Sequence, residues 1–478
     1  MPLNSAGLLV ILEEGGRLPL RVRLTMALRD AVRTGQASPG STLPSSRVLA
    51  RDIGISRGVV LEAYAQLTAE GYLLSRPGAG TTVAATQPHA RPVAAAAAPQ
   101  HEPAGVLDLR PGTPDLSSFP RRMWLGAVRD TLNALPASAL GYGEPWGARA
   151  LRVQLADYLA RVRGAMAEPD SVVVVTGTTQ GISLIAQLLV RRGQRAVAVE
   201  DPSNALQRRL LRDLGLEVVD VPVDDSGLRV DALAATGVRA VLCTPAHQYP
   251  TGVILSAERR TQLMRWAQDV DGLVIEDDYD AEFRYGRAAV GCLQGLDDRH
   301  VALLGSVSKS LAPALRLGWV LAPPGLLDDL RRAKSHADFG SNGLDQHVLA
   351  ELMATGAYDR NLRLLRRRYG ERREHLVGAL AARAPSWRPI GAAGGLHLVV
   401  RLPPGLSEQG VVVAGAAAGV LVVGLAGMTG AHPQGPSLAL AYARATPDML
   451  DEAVHRLVLA ADGLGARPTD GAESLTEG

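Results

Sequence analysis

Lysine is almost absent from this chain of 478 residues, in which Lys309 and Lys334 are the two lysines among 50 basic side chains. Arginine replaces lysine in most surface roles and pairs better with carboxylates. It does not replace lysine as a nucleophile toward aldehydes, because the guanidinium group is never a free amine. Lys309 is therefore a candidate for covalent attachment of an aldehyde, although its rarity alone leaves chance survival equally open.

Cysteine is also scarce, and charge of either sign is nearly balanced. Cys243 and Cys292 lie far apart in apolar surroundings, which argues against a disulfide framework or a zinc site and favours a reducing cytoplasm. The formal net charge of +2 provides no global attraction to nucleic acid or to a membrane. The uncharged stretch 411–428 is long enough to span a bilayer, but the helix start at Ser407 and the break at Gly419 predict a helix, a turn and a buried strand instead.

Changes in composition predict four segments. Residues 1–85 form a helical domain with a short β-hairpin, 86–106 form an Ala/Pro-rich linker, 107–465 form an α/β domain and 466–478 form a polar, disordered tail. Apolar runs that alternate with helical stretches predict a parallel α/β sheet in the third segment. These runs are Val172–Val175, Ala196–Val199, Ala240–Cys243, Leu273–Ile275 and Ala302–Leu304.

The first segment has the pattern of a winged helix-turn-helix. A helix over Leu20–Arg33 precedes a second that starts at Ser45, and Gly54 makes the turn to a third helix that Ser56 caps and that runs to Gly71. Two short strands around a glycine-rich turn then form the wing. Residues 20–85 contain eight arginines and four acidic side chains, an excess that phosphate contact requires. A helical docking domain with a solvated basic face is the alternative interpretation.

Four stretches resemble the GntR family of bacterial repressors: Leu43-Pro44-Ser45-Ser46-Arg47-Val48-Leu49-Ala50, Ile55-Ser56-Arg57, Glu70-Gly71-Tyr72-Leu73 and Gly78-Ala79-Gly80-Thr81. The resemblance implies that Arg47, Ser56 and Arg57 contact double-stranded DNA. It also implies that Gly78 and Gly80, in the wing, approach the minor groove.

The α/β segment contains the groups that pyridoxal 5′-phosphate (PLP) needs. The cofactor requires a lysine for its aldehyde, an anion for its pyridine nitrogen and a helix N-terminus for its phosphate. Lys309 is the candidate lysine. Asp277 follows a predicted strand, at the edge where ligands of open α/β sheets bind. Residues 172–181 read as a strand, a glycine turn and a helix start. Each feature alone has a simpler explanation, such as a helix cap or an ordinary turn.

Residues 107–460 resemble fold-type-I aminotransferases, most strongly at Tyr249-Pro250-Thr251-Gly252, at 276–280 and around Lys309. The resemblance implies that Lys309 forms the Schiff base with PLP, that Asp277 pairs with the pyridine nitrogen and that Tyr279 meets the ring oxygen. The further cofactor-binding residues that it implies are Ser306, Arg316, Thr178, Thr179 and Tyr249, with Tyr142 reaching the phosphate of a neighbouring subunit.

A GntR-like head on such a body resembles the MocR/GabR-type regulators. The motifs His247-Gln248-Tyr249-Pro250-Thr251-Gly252 and Asp277-Asp278-Tyr279-Asp280-Ala281-Glu282-Phe283 carry this resemblance. It implies a head-to-tail homodimer with shared sites. The fold expected is multidomain, an N-terminal α+β winged helix-turn-helix followed by an α/β, fold-type-I, aminotransferase-like domain.

Two positions depart from the aminotransferase pattern. Asn204 stands where relatives usually carry an aromatic ring that stacks on PLP. Ala439 stands where aminotransferases carry the arginine that clamps the substrate carboxylate, and Arg444 and Arg122 remain candidates to replace it.

These departures favour a transcription regulator that senses PLP itself, as the PdxR-type members that control vitamin B6 synthesis do, over a turnover enzyme. We assign no catalytic or metal-binding residue. Three alternatives stay open: a regulator that senses an adduct of PLP with an amino acid, an active aminotransferase with a DNA-binding head, and a DNA-binding protein whose body serves only for dimerisation.

Overall fold

The computed structural model of the chain describes residues 18–76, 80–84, 105–285 and 290–465. The chain folds into two compact units, Met1–His101 and Glu102–Gly478. The predicted wing residue Gly78, nearly all of the predicted linker and the predicted tail 466–478 lie outside the described residues. The boundaries between the four predicted segments remain predictions.

The first unit is the predicted winged helix-turn-helix. Its elements are α1 Leu20–Arg33, α2 Ser46–Asp52, α3 Arg57–Ala69, β1 Leu73–Arg76 and β2 Gly80–Val83. The strands pair antiparallel from Leu73 opposite Val83 to Arg76 opposite Gly80. The helix α3 ends two residues before the predicted Gly71.

Two serines fix the helix starts of this unit. The Ser45 hydroxyl accepts a hydrogen bond from the Val48 backbone N–H, and the Ser56 hydroxyl accepts one from Val59. Each satisfies a backbone donor that the first helical turn leaves unpaired. The apolar faces of the three helices then share one core with the wing, through residues such as Leu28. Both predicted helix starts are thus confirmed.

The second unit combines a large mixed sheet, a smaller antiparallel sheet and surrounding helices. Its helices are α4 Arg121–Ala134, α5 Arg149–Arg163, α6 Thr178–Arg191, α7 Ala205–Asp213, α8 Val230–Ala235, α9 Ala257–Asp269, α10 Pro324–Asp338, α11 Gly343–Ala354, α12 Ala357–Arg383, α13 Glu408–Ala417 and α14 Pro447–Gly465. Its strands are β3 Leu107–Asp108, β4 Val172–Val175, β5 Ala196–Asp201, β6 Glu217–Asp224, β7 Gly227–Leu228, β8 Ala240–Cys243, β9 Leu273–Asp277, β10 Val301–Ser306, β11 Gly318–Leu321, β12 Arg388–Ile390, β13 His397–Arg401, β14 Val420–Leu421, β15 Val423–Gly424 and β16 Ser437–Ala441.

The large sheet has the strand order β4-β11-β10-β9-β8-β5-β6-β7. The five predicted strands all run in one direction, but the sheet is not purely parallel. The strand β11 was not predicted; it lies between β4 and β10, antiparallel to both. Only residues 307–317 connect β10 to β11. The chain turns back because a parallel crossover needs a dozen or more residues, usually including a helix.

The large sheet is covered on both faces. In β4, Val172 and Val174 belong to one apolar core, while Val173 and Val175 belong to another. A run of β-branched residues is typical of a strand that is buried on both sides. The carboxyl ends of β4, β5, β8, β9 and β10 therefore emerge at one edge of a rigid layer.

The uncharged stretch 411–428 folds as the sequence predicts. The helix α13 ends at Ala417, Gly419 has a φ of 77°, and the short strands β14 and β15 follow. β15 pairs with β16 in the smaller sheet, whose order is β12-β13-β16-β15, and β14 pairs with β3. In the described part of the chain, no helix is long and apolar enough to cross a membrane.

A buried ion pair links α5 to the segment after β9. The Arg163 guanidinium donates to both carboxylate oxygens of Asp278, at 2.7 and 3.0 Å. Both side chains are buried, and the carboxylates of Glu276 and Glu282 are buried nearby. Such a pair adds little net stability, but the loss of one partner leaves a charge without compensation.

We expect Arg163→Met to lower the free energy of unfolding by about 3–5 kcal/mol, because the buried Asp278 carboxyl group then lacks its partner. Urea denaturation measures the change. The matched control is Arg161→Met on the same helix, whose side chain is 52% exposed and whose loss should cost about 1 kcal/mol or less. Equal losses in the two variants would contradict this role for the pair.

Candidate functional site

A cavity of about 470 Å³ lies at the carboxyl edge of the large sheet. Eight of the nine cofactor-binding residues predicted from the sequence line it: Lys309, Asp277, Tyr279, Ser306, Arg316, Thr178, Thr179 and Tyr249. The ninth, Tyr142, does not. Its side chain is 88% exposed and its ring meets the Phe339 ring edge-on, with 5.6 Å between centroids.

Asp277 is the last residue of β9 and lines the cavity. Its Oδ2 accepts a hydrogen bond of 2.7 Å from the Gln207 amide. Its Oδ1 is buried and has no hydrogen-bond partner among the described residues. Burial raises the pKa of Asp277 to about 6, against the opposing effects of the Gln207 hydrogen bond and the Lys309 charge. The cavity wall therefore contains an acceptor that the described chain does not satisfy.

Lys309 lies in the turn that follows β10. Its Nζ donates to the Gly112 carbonyl oxygen at 2.5 Å. Burial lowers the pKa of the Lys309 amine, while the carboxylates of Asp280 and Asp277 act in the opposite direction. A lowered pKa increases the fraction of neutral amine, which is the form that attacks an aldehyde.

A helix N-terminus and an arginine come together in the cavity wall. The helix α6 begins at Thr178, and no side chain of the described residues caps its first turn. Gly177 precedes it with a φ of 121°, and a Cβ atom there would lie 3.2 Å from Nη2 of Arg316. Glycine is thus required both by the backbone angle and by the close approach of the guanidinium. A helix N-terminus beside an arginine is a favourable phosphate site.

Aromatic and imidazole rings hold Tyr279. The Tyr279 hydroxyl and the Asp280 carboxylate each lie 3.0 Å from Nδ1 of His247. The Tyr249 ring packs edge-on against both Tyr279 and His397, with centroids 5.8 and 5.4 Å apart. Burial lowers the pKa of His397 to about 4, so its ring is neutral at physiological pH. These contacts fix the Tyr279 ring at the cavity wall.

The two departures from the aminotransferase pattern have different structural contexts. Asn204 lines the cavity and caps α7, because its Oδ1 accepts hydrogen bonds from the Leu206 and Gln207 backbone N–H groups. Ala439 is fully buried in β16 and packs with Val399 and Leu425 in a small apolar cluster away from the cavity lining. Asn204 thus has a structural role in place of an aromatic ring.

The arginines proposed to replace a carboxylate clamp do not line the cavity. Arg444 lies 3.1 Å from the Asp108 carboxylate, and Arg122 is exposed on α4. Among the described residues of the lining, Arg316 is the one guanidinium. A ligand carboxylate would therefore share that arginine with a phosphate.

Sequence reasoning missed several cavity residues. Gln207 lies one helical turn after Asn204, so the cap at Asn204 was a signal that could have located it. Gly112, Leu396 and His397 come from segments distant in sequence, and no local pattern identifies them.

The predicted DNA-contact residues of the first unit lie on its surface. Arg47 on α2, and Ser56 and Arg57 at the start of α3, are exposed. The Arg57 Nε donates to the Ser46 hydroxyl at 3.3 Å. Gly80 begins β2 with a φ of 84°. These positions leave the N-terminus of α3 open for a major groove.

The family described as aminotransferase class I and II matches residues 107–457, and the family described as bacterial regulatory proteins, gntR family, matches residues 20–83. The HTH-type pyridoxine biosynthesis transcriptional regulator PdxR of Corynebacterium glutamicum is 36% identical over 79% of this chain and 82% of its own length. The probable rhizopine catabolism regulatory protein MocR of Rhizobium meliloti is 29% identical over 98% of this chain and 100% of its own length.

Among solved structures, the second unit is similar to the alpha-aminoadipate aminotransferase LysN of Thermus thermophilus. The TM-score is 0.68 at 27% identity, and the match covers 76% of this chain and 94% of that chain. The LysN structure is complexed with N-(5′-phosphopyridoxyl)-L-leucine.

We expect Asp277→Asn to stabilise the protein without ligand at neutral pH. The folded-state pKa of about 6 exceeds the unfolded value near 4. Between about pH 4 and pH 6 the folded state therefore binds more protons than the unfolded state does. The cost of ionising Asp277 is therefore absent below about pH 4 and fully present above about pH 6, where it reaches about 3 kcal/mol. Urea denaturation of both proteins across this range measures the difference, and a constant difference would contradict the raised pKa.

Proposed function

Because the chain belongs to the aminotransferase class I and II family and has a gntR-family head, we propose that it is a transcription regulator whose second unit binds PLP and thereby changes the DNA affinity of the first. The observation that carries this proposal is that one cavity holds both an unsatisfied, buried Asp277 oxygen and the partly buried amine of Lys309.

The residues of the cavity fit PLP group by group. The unpaired Oδ1 of Asp277 would accept from the ring nitrogen, the Lys309 amine would bond the aldehyde and Tyr279 would meet the ring oxygen. Arg316, Ser306 and the backbone of Thr178 and Thr179 would hold the phosphate. When bound, PLP supplies an electron-accepting ring and a reactive aldehyde. The cavity volume of about 470 Å³ is typical of small-molecule sites.

A sensor of PLP itself agrees better with the cavity than a turnover enzyme does. Within the described lining, Arg316 is the one guanidinium and lies at the phosphate end, so an amino-acid carboxylate has no separate clamp. Asn204 caps a helix in place of a stacked ring. The similarity to a regulator named for pyridoxine biosynthesis supports a role in vitamin B6 synthesis.

We also propose a head-to-tail homodimer as the working form. Tyr142 and Phe339 form an exposed aromatic pair, and Leu125 and Leu140 are 69% and 63% exposed. Contact with a second copy would cover these side chains and bring Tyr142 to the partner's phosphate site. PLP would then bias a two-state arrangement of the dimer, which couples the effector site to the DNA-binding heads. A regulator of this kind would act in the cytoplasm, where it meets DNA.

We expect PLP to attach covalently to Lys309. Borohydride reduction of the chain mixed with PLP, followed by peptide mass mapping, should find the label on Lys309 and none on Lys334. Lys334 is a built-in control, because it is fully buried and ion-paired with Asp338. Lys309→Ala should remain unlabelled. A wild-type chain without label at Lys309 would instead support the alternative in which the second unit serves only for dimerisation.

We expect PLP alone to change the DNA affinity of the full chain by about fivefold or more, the usual scale of coupling between two sites. A DNA duplex that the chain binds would first be selected from a random pool. Fluorescence anisotropy would then give the Kd of the chain for this duplex, with and without PLP and candidate amino acids. Arg57→Ala should weaken binding in both conditions and keep the PLP-dependent ratio. A change that requires an amino acid would favour the adduct sensor, and sustained transamination would favour the enzyme.

A further inference from the structure

The contacts of Asp277 give Gln207 a specific role, which rests on the proposed function. We propose that Gln207 is a positioning residue that holds one oxygen of the Asp277 carboxylate, so that the other oxygen is presented to the ring nitrogen of PLP. Its side chain would act on the cofactor through Asp277 rather than by touching the reacting atoms.

The two carboxylate oxygens of Asp277 have different hydrogen-bonding partners. The Gln207 Nε2 donates to Oδ2 at 2.7 Å, while Oδ1 is buried and unpaired within the described structure. One hydrogen bond therefore determines which oxygen remains available. Without this bond the carboxyl group could rotate about its last side-chain torsion, which is broad and roughly two-fold.

The backbone that carries Gln207 is itself held in place. Asn204 caps the helix α7 one turn earlier. The next residue, Arg208, is buried and forms ion pairs with Asp201 and Asp220. Because both contacts fix the first turn of α7, the Gln207 amide reaches Asp277 from an ordered backbone. A side chain supported in this way loses little freedom when it binds.

The chemistry of the Gln207 amide also suits this role. Gln207 donates a hydrogen bond without bringing a charge. An arginine at this place would form an ion pair with Asp277 and compete with a protonated ring nitrogen. A neutral donor favours the ionised carboxylate and leaves its charge for the cofactor. The Gln207 hydrogen bond accordingly opposes the effect of burial on the pKa of Asp277.

Other charged and titratable groups also act on Asp277 from the elements packed around it. They are Asp278, Tyr279 and Asp280 on its own segment, Glu200 near the end of β5, Cys243 in β8 and Lys309 after β10. Substitution of Gln207 leaves all of them in place, so a change in the pH dependence of PLP binding reports the missing amide.

Two variants test the role of the amide. Gln207→Met keeps the length of the side chain and removes the donor, and Gln207→Ala removes both. Gln262→Met, on α9, is the matched control, because Gln262 hydrogen-bonds Glu258 on the surface. Absorbance titration gives the Kd for PLP at several pH values, and circular dichroism checks folding.

We expect both variants to raise the Kd for PLP about tenfold at neutral pH, the effect of one hydrogen bond to a charged group. As the pH is lowered, both variants should lose PLP binding at a higher pH than the wild type does, because loss of the donor raises the pKa of Asp277. The two variants should share this shift, since both lack the same hydrogen bond.

A packing role would give a different result, with Gln207→Met close to wild type and Gln207→Ala impaired. That result, or an unchanged pH dependence in both variants, would overturn the proposal while PLP binding by the wild type stands. Failure of the wild-type chain to bind PLP would instead refute the proposed function itself.

Discussion

The buried carboxylate of Asp277 is the constraint on which the candidate site depends. A carboxylate removed from water is costly unless each oxygen finds a donor, and here the described protein supplies a donor to one oxygen only. The free-energy cost of burying the Asp277 carboxylate is therefore lowest when a ligand brings a second donor and a positive charge. Lys309 at the same cavity and the anion site at Gly177 add the two other groups that a phosphorylated pyridine aldehyde requires.

The fold surrounds this acid with fixed structure. The large sheet is buried on both faces, so the strand β9 delivers Asp277 to the same edge as Ser306 and the start of α6. The pair of Arg163 and Asp278 neutralises the next carboxylate along the chain. The second lysine also has a defined place, since Lys334 donates to Asp338, and Asp338 accepts from Gln180 in the first turn of α6. Lys334 thus serves a buried ion pair, whereas Lys309 lines the cavity.

Local patterns in the sequence predict the parts of the molecule that local physics determines. Local signals predict where some elements begin and end to within one or two residues. These signals are the serine caps at Ser45 and Ser56 and the β-branched run at β4. Asp277 was predictable because it follows an apolar strand run, and Lys309 because lysine is almost absent from the chain. The strand β11 was not, because its antiparallel insertion depends on a short connection and not on its own composition. Gln207 and His397 were missed, because long-range packing of α7 and the smaller sheet decides which side chains reach the cavity.

The protonation state of the ring nitrogen of bound PLP tests the central claim most directly. Nitrogen NMR of the chain loaded with PLP that is ¹⁵N-labelled in the ring reports it. We expect a protonated nitrogen at neutral pH in the wild type, hydrogen-bonded to Asp277, and a neutral nitrogen in Asp277→Ala. A neutral nitrogen in the wild type, or a protonated one in both proteins, would contradict the role of Asp277.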